Sequence, residues 1–115
     1  MKFLTLVRGS EQSGPPPQAL MQAIGQLGAE AAKAGVMVDM AGLGPSASGA
    51  RIRVSKGKLM VTDGPFTEVK EVIGGLAIYE VESRAAAIEW GTRFMELHQR
   101  HWPGWEGECE IRQMF

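Results

Sequence analysis

Two strand-like apolar runs are separated by a stretch built to reverse the chain: Val61-Thr62-Asp63-Gly64-Pro65-Phe66-Thr67-Glu68-Val69-Lys70-Glu71-Val72-Ile73-Gly74-Gly75. Asp63 brings a side chain that accepts hydrogen bonds, Gly64 is free to take backbone conformations closed to other residues, and Pro65 fixes its own φ and donates nothing. No strand or helix continues through such a run, so it fixes where one element ends and the next begins. An aromatic set beside three turn residues is expected to turn inward, which makes Phe66 the anchor of the loop. Gly74-Gly75 lets a second backbone, a side chain or a ligand approach closely. The loop Asp63-Gly64-Pro65-Phe66 is therefore expected to border the main pocket, with the Asp63 carboxylate accepting backbone hydrogen bonds.

Strands on both sides of this stretch carry apolar residues on both faces. Lys2 to Arg8 sets Phe3, Thr5 and Val7 against Leu4 and Leu6, and Val72 to Val81 sets Leu76 and Ile78 against Ala77, Tyr79 and Val81. Val36 to Leu43 is equally apolar except for Asp39. Strands of this kind need cover on both faces. A chain of 115 residues has room for one domain. With few helices to cover two faces, a second subunit is the expected cover, so a homodimer is expected.

Pro15-Pro16-Pro17 can open a helix, since first-turn amides lack intrahelical partners. Leu20, Ile24, Leu27 and Ala31 follow at helical spacing with Ala23 and Ala34 beside them, and Gly35 is placed to end the helix. Gly25 and Gly28 weaken its interior but allow close packing on a sheet. Arg51-Ile52-Arg53-Val54 alternates, and Ser55-Lys56-Gly57-Lys58 reads as a turn into Leu59 to Thr62. Ser83 suits the N-cap of a second helix whose inner stripe is Ala87, Ile88, Gly91, Phe94, Met95 and His98, with Glu89 and Arg93 paired outside. An aromatic-rich connection, His98 to Trp105, leads to a last strand, Glu108 to Phe115, with Cys109, Ile111 and Phe115 on one side. The order is β-α-β-β-α-β with a hairpin extension before the Asp63 loop, which is ferredoxin-like.

Asp63-Gly64-Pro65-Phe66 with Thr67-Glu68-Val69-Lys70-Glu71-Val72-Ile73-Gly74-Gly75 resembles the signature of the DGPF branch of the YCII-related proteins. The likeness extends to Gly42-Leu43-Gly44-Pro45-Ser46 and Gly49-Ala50-Arg51-Ile52-Arg53, then to Ala87-Ile88-Glu89-Trp90 and Glu108-Cys109-Glu110-Ile111-Arg112. It runs through nearly the whole chain, so residues 1–115 are expected to be one such domain. The resemblance implies a ferredoxin-like α+β fold that pairs into a dimeric α/β barrel. It also implies an accessory role beside extracytoplasmic-function sigma factors, or a cofactor-independent lyase or dehydrochlorinase chemistry. Some members use a histidine-aspartate dyad whose histidine comes from the first helix. Gln18 to Ala34 contains no histidine here, and Asp39, in the neighbourhood of the acidic member, stands without that partner.

The remaining chemistry is sparse. A formal net charge of −1 removes the electrostatic case for nucleic acid or an anionic membrane. One cysteine, Cys109, forms no disulfide framework and reads as a small core residue. The chain opens directly on a strand-like run and holds no span of bilayer length, so a cytoplasmic protein is expected. His98 and His101 lie i,i+3 at a helix end, where the dipole favours histidine. Two ligands do not make a metal site, so neither metal nor cofactor is expected. Asp63 is the one catalytic candidate, with Lys70 and Glu71 near it. Arg51 and Arg53, on one strand face, either meet solvent or hold an anion, and Asp39 is either an outward strand residue or a cleft carboxylate. Trp90, Trp102 and Trp105 serve either a planar ligand or a dimer interface. The pocket candidates are thus Asp39, Arg51, Arg53, Asp63, Gly64, Pro65, Phe66, Lys70, Glu71 and Trp102. Two functions fit: a homodimeric small-ligand-binding or regulatory module, and an enzyme acting on a small aromatic or acidic substrate.

Overall fold

The structure, a computed structural model, describes residues 1–115. Strand β1 (Lys2–Gly9) is followed by helix α1 (Gln18–Lys33), β2 (Met37–Gly42), β3 (Ala50–Ser55), β4 (Lys58–Asp63), β5 (Val72–Glu80), α2 (Arg84–His101) and β6 (Gly107–Gln113). Four strands make one antiparallel sheet in the order β2-β5-β1-β6, and β3 and β4 make a separate hairpin. This mixed α+β architecture is compatible with a ferredoxin-like fold, as the sequence pattern predicts. No helix is long and apolar enough to cross a membrane.

Register explains which side chains go where. Phe3 stands opposite Tyr79 and Thr5 opposite Ala77, on the face that both helices cover. Phe3, Ala77, Tyr79 and Val81 pack there with Ala31 of α1 and Ala87 of α2. Small residues let the helices sit close: a Cβ on Gly28 would lie 2.6 Å from the Met40 sulfur, and one on Gly91 2.9 Å from Ile111. Ser83 caps α2 by accepting the Ala86 amide at 3.1 Å, and Gly35 follows α1 at φ 77°, a left-handed conformation that suits glycine.

The other face of the sheet is bare. Leu4 pairs with Ile78 and Leu6 with Leu76, flanked by Asp39 and Ala41 on β2 and by Arg112 and Glu110 on β6. The hairpin makes no extensive contact with any other element. Ile52, Val54, Leu59 and Val61 share one of its faces and are each about 70 % exposed.

Three details of the sequence reading change. Ile88 faces out, and Trp90 takes the inner position, stacked on Tyr79 with centroids 5.8 Å apart. Arg93 does not pair with Glu89; it reaches across to Glu30 of α1 and lies over the Trp90 ring at 4.9 Å. A cross-helix carboxylate and an aromatic face hold the guanidinium better than one solvated neighbour does. Strand β6 stops at Gln113, so Phe115 lies beyond it, fully exposed rather than in the core.

Candidate functional site

The core fills only the end of the sheet where β1 begins and β5 ends. At the other end, helices and sheet diverge around a cavity of about 820 Å³. Its floor is Thr5, Val7 and Gly9 of β1 with Gly74, Gly75 and Ala77 of β5, and its roof is Leu20, Ile24 and Leu27 of α1. The strands crowd here: a Cβ on Gly75 would lie 3.0 Å from the Ala41 carbonyl oxygen, a tight contact with backbone. The Thr5 hydroxyl donates to the Ala77 carbonyl at 3.0 Å and is thereby satisfied in a buried position.

One wall is aromatic. Trp105 lies across the directly opposed pair Gly9 and Gly107, where side chains on either strand would strike its indole. Trp102 stacks on Trp105 at 5.6 Å, and the His98 ring lies 4.7 Å from both Trp105 and Phe94. His98 is only 5 % exposed. Its Nδ1 lies 3.1 Å from the Phe94 carbonyl oxygen, and burial pushes its pKa below the ordinary value. Burial likewise pushes the Cys109 thiol up, which keeps it protonated and poor as a nucleophile. Tyr79 is raised by burial first and by Cys109 second; its hydroxyl makes no hydrogen bond within the protein.

A family model described as the YCII-related domain matches residues 1–95. The chain belongs to the YCII-related family. No curated protein matches it. The match takes in the sheet floor and α1 roof of the cavity and stops before His98, Trp102, Trp105 and Cys109.

The Asp63 loop of this YCII-related chain stands one layer behind the cavity. Glu11, Gly44 and Pro45 reach the lining, whereas residues 63–66 do not. Buried Ser46 joins the layers: its hydroxyl donates to Glu11 Oε1 at 2.5 Å, its amide donates to Glu11 Oε2 at 2.6 Å, and its oxygen accepts the Phe66 amide at 3.0 Å. These bonds, the hydroxyl's first, hold the Glu11 carboxyl below the usual carboxylate range. The Gly64 amide donates to the Gly49 carbonyl at 2.9 Å, and the Gly64–Pro65 bond is cis. A Cβ on Gly64 would fall 1.7 Å from the Ser46 carbonyl oxygen, so the motif's glycine is set by a close approach of two backbones.

Phe66 is half-buried as an anchor, under the Arg51 guanidinium at 3.9 Å, and Arg51 pairs with Glu68. Arg51 thus fastens the loop. Asp63 is exposed and its carboxylate accepts no hydrogen bond, contrary to the turn-fixing role expected of it; backbone bonds and Ser46 do that work. Asp39 is exposed on the bare sheet face, bonded to the next amide at 2.9 Å. Arg53, Lys70 and Glu71 are exposed, and Pro65 lies on the outer side of the loop. Of the pocket candidates, Trp102 alone lines the cavity of the single chain. His98 is buried on the inner stripe of α2, as its spacing from Phe94 led the sequence to expect. What changes is the helix end: α2 runs on to His101, so His98 lies three residues inside it rather than where the helix gives way. His98 and His101 do not converge with a third ligand, and no three His, Cys, Asp or Glu side chains cluster in a metal-holding arrangement.

Proposed function

We propose that this YCII-related protein is a homodimeric binding module that holds a small, mostly apolar molecule between its helices and sheet. The cavity carries this reading: about 820 Å³ is within the range of small-molecule pockets, and aromatic and aliphatic side chains dominate its wall. The alternative, a cofactor-independent lyase or dehydrochlorinase, needs a positioned proton carrier. The cavity holds two bases: Glu11 is tied up by Ser46, and a backbone carbonyl rather than a carboxylate orients His98. That arrangement suits binding better than proton transfer. The Asp63-Gly64-Pro65-Phe66 motif supports placement in the DGPF branch, and with it an accessory role beside extracytoplasmic-function sigma factors.

The second copy is the cover for the bare sheet. A row across that face runs Asp39, Ile78, Leu4, Arg112, acidic at one edge and basic at the other. A two-fold axis parallel to the strands lays β2 of one copy over β6 of the next, which brings Asp39 opposite Arg112 and Leu4 opposite Ile78. The exposed hairpin is then an arm along the same partner. Sedimentation equilibrium is expected to give a dimer at micromolar concentration, and Leu6→Asp to abolish it, since a buried unpaired charge costs several kcal/mol. A wild-type monomer at that concentration would exclude the dimer. Titration with a small apolar probe, read by Trp102 and Trp105 fluorescence, is expected to saturate at one site per chain. No saturable response would remove the binding reading.

A further inference from the structure

We propose that the cavity selects an uncharged, flat, apolar molecule that carries a hydrogen-bond donor, and that His98 receives that donor at Nε2. The inference rests on the binding reading above and adds its chemistry.

A carbonyl oxygen only accepts, so the 3.1 Å contact with Phe94 makes His98 Nδ1 the protonated nitrogen. The neutral ring then has a lone pair on Nε2, and the ring's one hydrogen bond within the protein is the one at Nδ1. No buried side-chain nitrogen or oxygen in the protein lacks a partner, so the unbonded Nε2 is an accessible atom of a residue that lines the cavity, where a ligand's N–H or O–H can meet it.

Two further observations define the rest of the molecule. Phe94 and Trp105 lie against the imidazole at 4.7 Å, Trp102 stacks on Trp105 at 5.6 Å, and Gly74 and Gly75 line the same cavity without side chains. A flat face on one side and missing side chains on the other accommodate a planar body. No lysine or arginine lines the cavity, and its one carboxylate, Glu11, is already bonded to Ser46. An anion would lose its hydration there without gaining a partner. A small acid is therefore a poor ligand, and a phenol, enol or N–H heterocycle is a good one.

Three probes of nearly one shape separate these claims: 2-naphthol, its methyl ether and 2-naphthoate, titrated into the full chain at neutral pH by tryptophan fluorescence. The ether keeps an acceptor oxygen that Tyr79 can use and lacks only the donor. Wild-type protein is expected to bind 2-naphthol about tenfold more tightly than the ether, the scale of one hydrogen bond, and 2-naphthoate most weakly. On 2-naphthol alone, the ¹⁵N resonance of His98 Nε2 is expected to shift. His98→Phe, checked for folding by circular dichroism, is expected to bind naphthol and ether alike. Equal affinities in the wild type, tightest binding of the naphthoate, or a naphthol preference that survives His98→Phe would each overturn the proposal while leaving the cavity a binding site. Absence of binding by all three would overturn the binding reading itself.

Discussion

At the scale of single residues, His98 and Ser46 do more than their types advertise. His98 is buried and neutral, so folding lowers its pKa from the ordinary 6.5. A group with a lowered folded-state pKa stabilises fully above its unfolded value and loses that contribution as pH falls through the folded one. Stability is therefore expected to decline below about pH 6.5 as the imidazole charges, and the decline is expected to flatten in His98→Phe. Urea unfolding followed across pH 5 to 8 for both proteins checks this; parallel profiles would show that the burial of His98 has no such consequence. Ser46 is a small polar residue inside a Gly-Pro-rich turn, where it reads as one more loop residue. Its importance comes from Glu11, 35 positions away in sequence, and from Phe66, 20 positions away. Such a convergence exists only in three dimensions, so no local pattern could have announced it.

At the scale of elements, pattern made the strands and helices legible: apolar runs rich in β-formers marked β1 and β5, and the Leu20-Leu27-Ala31 stripe marked the buried face of α1. The Asp63 loop was legible as a break but its chemistry was not. Its glycine sits hard against the Ser46 backbone, and its aspartate is exposed with no hydrogen bond to the rest of the loop. Gly64→Ala is expected to destabilise the fold by about 2 kcal/mol or more, because backbone rather than a yielding side chain occupies the space of the new Cβ. Asp63→Asn is expected to change stability by less than about 0.5 kcal/mol, the scale of a surface substitution. Chemical denaturation of the two variants separates these roles, and the reverse order of effects would return the aspartate to the centre of the loop. The hairpin carries the opposite lesson. Its alternation of arginine with isoleucine and valine looked like a strand with one wet face, yet it leaves the apolar face just as open in the single chain.

At the scale of the whole molecule, the structure is 44 × 35 × 19 Å with a radius of gyration of 15.5 Å. A compact domain of this length would have a radius near ~13 Å. The excess reflects a two-layer body with a protruding arm, and only 14 of 115 residues are buried. Apolar residues on both faces of β1 and β5 announced that two covers are needed, and the helices supply one. The cavity could not be read in advance, since it is the gap left where α1, the end of α2 and the sheet part company. Its lining alternates along the strands with residues of the bare face, so periodicity treats cavity and core alike. Mapping amide shifts in a ¹H–¹⁵N spectrum during titration with a small neutral aromatic is the most direct test of where this protein binds. Shifts are expected to concentrate at Gly42, Gly74, Gly75, Phe94 and the Trp105 indole, with the hairpin at residues 50–63 unmoved. Shifts centred on the hairpin or on Leu4, Leu6 and Ile78, with the cavity amides still, would contradict the account.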